Sequence, residues 1–231
     1  MNREISGLSS MATRPLLAET AECIRLAHGI RLRFDSAGGV EIARRIREGA
    51  EADLVVLAEG ALAALEKEGL VLGGTVRPLW VSQVVAAVPA GTPVPVLSSE
   101  TELRAALLSA KKVAYSTGPS GTALVDLIAR LGLNDVLADR LVQTPPGVPA
   151  GALLSSGQAD LAFQQHSELM DLPDVVIVGP LPGETAIDSL FSGGVMASSN
   201  QPNHASEVLD LLGSSETAAV ARARGMRMAG G

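Results

Sequence analysis

The stretch VAYSTGPSGTALVDLIARLGL, residues 113–133, passes from a short apolar run through a polar loop into a segment with the apolar spacing of a helix. The loop, residues 116–121, holds two serines, a threonine and two glycines. The first N–H groups of a helix have no partner inside it, and with nearby hydroxyls they can donate to an anion. The stretch therefore predicts a strand, an anion-binding loop and a helix. Helix capping favours the same residue types and is the alternative.

The same alternation recurs on both sides of this stretch. EISGL precedes MATRPLLAETAECIRLAHG, IRLRFDSAGG precedes VEIARRIREG, and ADLVVLA precedes EGALAALEKEGLV. Strands that alternate with helical segments are typical of an α/β fold with parallel strands, which bind ligands beyond the carboxyl ends of the strands. The sequence predicts this fold class, with its ligand at that edge.

Four polar clusters stand at such strand ends, and we expect them to bind a small anion. Hydroxyl, amide and glycine residues supply donors there, and one arginine follows the first cluster by a turn. Capping, tight turns and a solvated arginine are the alternative explanations. The candidate ligand-binding residues are Ser9, Ser10, Arg14, Ser36, Gly38, Gly39, Ser116, Thr117, Gly118, Ser120, Gly121, Gln164 and Gln165.

The segment FQQHSEL, residues 163–169, adds titratable groups to the last cluster. His166 is the first candidate for a proton carrier and Glu168 the second, because imidazole and carboxyl groups exchange protons near neutral pH when their surroundings shift them. A solvated loop end that leads into a helix is the alternative.

The composition narrows the class of partner. The formal net charge is −7, which opposes binding to nucleic acid and to anionic membranes, and no apolar run is long enough to cross a bilayer. The three histidines are far apart and Cys23 is the single cysteine, so we expect neither a disulfide nor a metal site nor a cofactor. Cys23 and Trp80 are both predicted to pack in the interior.

The first residues, MNREISGLSSMATRPLLAE, contain no apolar core of a secretory signal. This pattern predicts a cytoplasmic location, or a periplasmic one if a leader has been removed.

Three segments carry a resemblance to a known family: LSSMATRPLLAETA, SAGGVEIARRIREGAEADLVVLAEGALAALEKEGLV and SSGQADLAFQQHSEL. They resemble the type II periplasmic solute-binding fold, and within it the molybdate-binding branch. The resemblance implies two α/β lobes with a ligand cleft between them. One lobe would hold residues 1–81 and 188–231, and the other would be the inserted residues 82–187.

The sequence departs from the molybdate binders at the ligand. Gln165 stands where that branch usually has an oxyanion-donating tyrosine, and YSTGPSG replaces a loop that usually contains Pro-Ala-Gly-Tyr. Many hydroxyl and amide donors favour a planar carboxylate over a tetrahedral oxyanion. The resemblance extends to aconitate isomerase, which implies a cofactor-independent 1,3-proton shift on a small unsaturated di- or tricarboxylate.

Two other functions stay open. The first is a non-catalytic solute-binding protein of an ABC-type importer, for molybdate or an organic acid. The second is a ligand-sensing module, which is disfavoured because the chain has no segment left for a DNA-binding helix-turn-helix and no basic patch.

Overall fold

The computed structural model describes residues 4–230 as an alternation of strands and helices. The strands are β1 (Glu4–Ser10), β2 (Arg31–Ala37), β3 (Leu54–Ala58), β4 (Arg77–Pro89), β5 (Val113–Tyr115), β6 (Leu141–Gln143), β7 (Leu161–Gln165), β8 (Val175–Pro180), β9 (Asp188–Val195) and β10 (Met226–Met228). The helices are α1 (Arg14–His28), α2 (Gly39–Arg47), α3 (Glu59–Lys67), α4 (Glu100–Ser109), α5 (Pro119–Arg130), α6 (Asn134–Leu137), α7 (Gly151–Ser155), α8 (His166–Leu169), α9 (Pro202–Leu212) and α10 (Ala218–Ala223). Short 3-10 turns lie at Met11–Thr13, Gly183–Thr185 and Ser215–Thr217.

The chain forms two compact units. The first contains the described residues up to Ser82 and those from Ser189 onward, and the second is the contiguous segment Gln83–Asp188. Strand β4 continues across the boundary, so its first half belongs to one unit and its second half to the other.

In the first unit, β1 lies between β2 and β3 and is parallel to both. The expectation of parallel strands is wrong for the other pairs, because β9 runs antiparallel to β3 and β10 antiparallel to the first half of β4. Strand β3 is apolar and buried at Leu54, Val55, Val56 and Leu57, as expected for a strand covered on both faces.

Helix α1 packs on this sheet through one stripe, formed by Leu16, Leu17, Thr20 and Ile24. The helix ends at His28, because Gly29 takes the left-handed conformation that favours glycine (φ 70°) and its N–H donates to the carbonyl of Arg25.

In the second unit, β4 lies between β8 and β7 and is antiparallel to both, whereas β5 is parallel to β7 and to β6. Reciprocal hydrogen bonds cap the start of α4. The Ser99 hydroxyl accepts from the Glu102 N–H at 3.3 Å, and the Glu102 carboxylate accepts from the Ser98 N–H at 2.7 Å.

Two side chains, Cys23 and Trp80, were predicted to be buried in the interior. Trp80 is fully buried in the core of the first unit, so that prediction is confirmed. Cys23 is exposed, so its predicted burial is wrong. It precedes Ile24 on α1, and one residue turns the side chain about 100° away from the buried stripe.

Among residues 4–230, no helix combines the length and the apolar character that crossing a membrane requires.

Candidate functional site

Two of the four polar clusters begin with the final residues of two neighbouring parallel strands. Ser9 of β1 lies opposite Ser36 of β2, and their hydroxyl oxygens are 2.7 Å apart. Ser9 is fully buried and Ser36 is half-buried. Because β1 and β2 are parallel, their carboxyl ends share one edge of the sheet, and this brings the two serines together.

Ser10 connects this pair to the start of α2. A Cβ atom placed on Gly39 would lie 3.8 Å from that of Ser10, so the first turn of α2 approaches the serine closely. The residue before α2 is Gly38, and no side chain caps the helix. The first N–H groups of α2 are therefore left to a ligand or to water.

Thr13 was not anticipated from the sequence. Its hydroxyl donates to the Ser10 carbonyl at 3.0 Å and lies 3.4 Å from the Ser10 hydroxyl. The contact could have been predicted from the spacing, because a threonine hydroxyl often donates to the carbonyl three residues before it.

Arg14 follows as the first residue of α1. Its side chain is exposed and has no hydrogen-bond partner within the part of the chain that the structure describes.

The loop between β5 and α5 forms the third cluster. The Ser116 and Ser120 hydroxyl oxygens lie 3.1 Å apart and both residues are buried, whereas Thr117 is half-buried. The residue that precedes α5 is Gly118 (φ 98°), and no side-chain hydrogen bond caps the helix. The capping alternative for these hydroxyls is therefore wrong, because glycine occupies the capping position.

Gly121 allows this loop to close. A Cβ atom on Gly121 would lie 1.8 Å from the Ser116 carbonyl oxygen, which is closer than any side chain permits. The first turn of α5 is thus folded directly back onto the end of β5.

The fourth cluster ends β7, which is parallel to β5 and pairs Phe163 with Tyr115. Gln164 and Gln165 are the last two residues of β7, and 2% and 3% of their surfaces are exposed. Successive side chains of a strand point to opposite faces, so the side chains of the two glutamines lie on opposite faces of the sheet. Phe163, on the side of Gln165, packs with Leu124 and Leu127 of α5.

Gln164 belongs to the side covered by α7. Its side-chain oxygen accepts from the backbone N–H of Ala150 at 2.5 Å, directly before α7 begins. The sequence did not indicate this contact, because the donor is a backbone group.

Helix α8 begins immediately after β7 with His166, and the Gln164 side chain is hydrogen-bonded to its Glu168. Burial raises the pKa of the Glu168 carboxyl to about 7, although a hydrogen bond from the Gln164 side chain opposes that rise. Glu168 still keeps part of its surface exposed, so it can exchange protons with its surroundings. Burial lowers the pKa of His166, so its imidazole is largely neutral at pH 7.

The described residues contain no group of three or more His, Cys, Asp or Glu side chains that could hold a metal ion. The chemistry that this arrangement offers is hydrogen bonding to an anion and proton exchange at Glu168.

Comparison with known families accounts for this architecture. Residues 5–227 match the family described as bacterial extracellular solute-binding protein, and the chain belongs to that family. The resemblance drawn from the three quoted segments is thereby confirmed.

The chain is also similar to individual proteins, one in sequence and others in structure. The chain is 29% identical to an aconitate isomerase of a Pseudomonas species, over 95% of this chain and 86% of that protein. The periplasmic molybdate-binding protein of Azotobacter vinelandii superposes with a TM-score of 0.81 at 19% identity, covering 97% of this chain and 99% of that one. The sulfate-binding protein of Mycobacterium tuberculosis superposes with a TM-score of 0.80 at 16% identity, covering 98% and 87%. The predicted α/β class and the two-lobed periplasmic solute-binding fold are confirmed.

Proposed function

We propose that this chain is a cofactor-independent isomerase of a small unsaturated di- or tricarboxylate. The observation that carries the proposal is the Glu168 carboxyl, whose pKa of about 7 lets it take and return a proton at neutral pH. The similarity to an aconitate isomerase along 95% of the chain supports this choice of chemistry.

The reaction would be a 1,3-proton shift. The Glu168 carboxylate takes a proton from the methylene carbon next to the double bond, the electron pair moves through the allylic system, and the double bond migrates. A proton then returns from the Glu168 carboxyl to the former vinyl carbon. No electrons enter or leave, so the substrate and product are isomers and no co-reactant is consumed.

Hydrogen-bond donors would stabilise the negative charge that develops on the substrate carboxylates. The second unit, which holds Glu168, offers the buried hydroxyls of Ser116 and Ser120. Fixed hydroxyl donors suit this role because they are already oriented before the charge appears. His166, neutral at pH 7, would support proton exchange without adding a charge.

The experiment is to follow trans-aconitate with purified protein by proton NMR in deuterium oxide. We expect conversion to cis-aconitate, with deuterium entering at carbon wherever the carried proton exchanges with solvent. The Glu168→Gln variant should lose at least a hundredfold in turnover, as removal of a general base costs about 10²–10⁴. The exposed Glu51→Gln variant is the matched control and should keep the wild-type rate.

Absence of any isomerisation by the folded wild type would reject the enzyme. A Glu168→Gln variant with the wild-type rate would reject Glu168 as the proton carrier.

A second function is favoured by the family itself, which is described as one of extracellular solute-binding proteins. In that case the same hydroxyls would hold molybdate or an organic acid without changing it, and the location would be periplasmic rather than cytoplasmic. Calorimetric titration with molybdate, sulfate, citrate and trans-aconitate separates the two functions. Tight binding of one anion without turnover supports the binder.

A further inference from the structure

The side chain of Gln164 is engaged at both ends. Its oxygen accepts from the Ala150 N–H at 2.5 Å, and its amide nitrogen donates to the Glu168 carboxylate. Only 2% of its surface is exposed. Because so little of the side chain is exposed, a ligand can reach almost none of the hydrogen-bonding capacity that the amide has left.

We propose that Gln164 is a positioning residue, which fixes the Glu168 carboxylate relative to the first turn of α7, and that it does not itself bind the ligand. This inference rests on the proposed function only in taking Glu168 as the proton carrier. A rotating carboxylate samples many directions, whereas one held by an amide presents its remaining lone pairs in one direction.

The backbone at Ala150, which donates to Gln164, is held in place by the close packing of α7. A Cβ atom on Gly151 would lie 2.8 Å from a Leu169 methyl and 2.5 Å from a Leu172 methyl, so α7 packs directly against α8 and the residues that follow it. Leu169 is also buried in the same apolar cluster as Leu153 and Leu154 of α7. The Ala150 N–H is therefore a fixed donor for the glutamine.

Burial and the hydrogen bond from Gln164 are the two causes that set the Glu168 pKa. Strand β7 (LAFQQ) and helix α7 (GALLS), which pack against α8, carry no titratable side chain. His166 is the other titratable group of α8, and burial keeps it largely neutral at pH 7. The Gln164 donor stabilises the charged carboxylate, so it holds the Glu168 pKa below the value that burial alone would give.

The test is a titration of Glu168 by carbon-detected NMR on protein labelled at the glutamate carboxyl carbons, with the signal assigned from the Glu168→Gln variant. In the Gln164→Met variant, the Glu168 pKa should rise by about one unit, because a hydrogen bond to a charged group has been removed. Gln165→Met is the matched control. It removes a glutamine of similar burial from the opposite face and should leave the Glu168 pKa unchanged.

Two further measurements keep the test decisive if Gln164→Met does not fold. Gln164→Glu keeps the shape and the acceptor for Ala150, and its second carboxyl should raise the higher apparent pKa of the pair above 7. In the wild type, the Ala150 amide proton shift should follow the Glu168 titration, since Gln164 connects them.

An unchanged Glu168 pKa in a folded Gln164 variant, an equal rise in Gln165→Met, or an Ala150 signal that ignores the titration would each overturn the proposal. None of these readouts needs a substrate. A shifted pKa in a protein without isomerase activity would therefore retain the Gln164 assignment and reject only the proposed function. In an active enzyme, Gln164→Met should reduce kcat more than it changes KM and move the rise of kcat to higher pH.

Discussion

The hydroxyl oxygens of Ser9 and Ser36 lie 2.7 Å apart at paired positions of two parallel strands. Each hydroxyl has one hydrogen, so one serine donates to the other and the acceptor keeps its own hydrogen for a ligand. The two serines therefore act as a unit that presents one oriented donor.

Substitution of either serine by alanine should weaken anion binding by about fivefold, the equivalent of about 1 kcal/mol for a lost hydrogen bond. Because the two act together, the double variant should lose less than the two single losses combined. Calorimetric titration with trans-aconitate and with molybdate gives the binding free energies of the wild type, the two single variants and the double variant. The exposed Ser215→Ala variant is the control for loss of a serine hydroxyl. Fully additive losses in binding free energy would contradict the inference that Ser9 and Ser36 act together.

Gly121→Ala should destabilise the protein by about 2–4 kcal/mol, in the range of strained backbone or overpacked sites. The new methyl group would meet the Ser116 carbonyl oxygen at 1.8 Å, and a backbone atom cannot move aside cheaply. Urea unfolding monitored by circular dichroism gives the measurement. Gly60→Ala is the control, because its Cβ would meet nothing within 4 Å and alanine in a helix is favoured by about 0.5–1 kcal/mol. Similar stability of the two variants would show that the loop relaxes.

Glu168 should make stability fall as the pH rises from about 5 to about 8. Its folded pKa of about 7 lies above the ordinary value of 4.5, so the folded state binds more protons in that window. The stability from this group is complete below about 4.5 and is lost as the pH passes 7. Relative to Glu168→Gln, the wild type should lose on the order of 2 kcal/mol between pH 5 and 8. Parallel pH profiles of the two unfolding free energies would contradict the burial of the carboxyl.

Asp53 should show the opposite dependence on pH. Burial alone would raise its pKa, but hydrogen bonds from the Ser6 N–H, from Ser199, from Gln201 and from the Ser6 hydroxyl outweigh burial and lower it. Its contribution is therefore present above the ordinary value of 3.8 and is lost as the pH falls through the lower folded value.

Asp53→Asn should destabilise the protein by about 2–4 kcal/mol at pH 7, because the amide turns donors toward donors within a buried network. The exposed Asp126→Asn variant should stay within about 0.5 kcal/mol of the wild type. Denaturant unfolding at pH 7 compares the two. Equal stability of the two variants would mean that the network around Asp53 contributes little.

Much of the fold follows from local patterns. The end of α1 at His28-Gly29 and the Ser99–Glu102 box at α4 are set by residues within one turn, which a sequence displays directly. Strand direction is different. The segment SLFSGGV has the same apolar pattern in either direction, and only the path of the chain makes β9 antiparallel to β3.

The candidate site divides in the same way. The hydroxyl and amide residues could be predicted as site residues because they follow apolar runs in the sequence. Parallel strands bring such positions together at one edge of the sheet. The link from Gln164 to Ala150 spans 14 residues and uses a backbone donor, so no residue type indicates it. The pKa of Glu168 depends on burial, which arises only when α8 folds against its neighbours.

The second unit, Gln83–Asp188, is one uninterrupted segment, whereas the first unit needs both ends of the chain. During synthesis on the ribosome, the second unit is complete before residue 189 has been made. The first unit must wait for β9 to pair with β3 and for β10 to pair with β4. Strand β3 and the first half of β4, although made early, thus keep an unpaired edge until β9 and β10 have been synthesised.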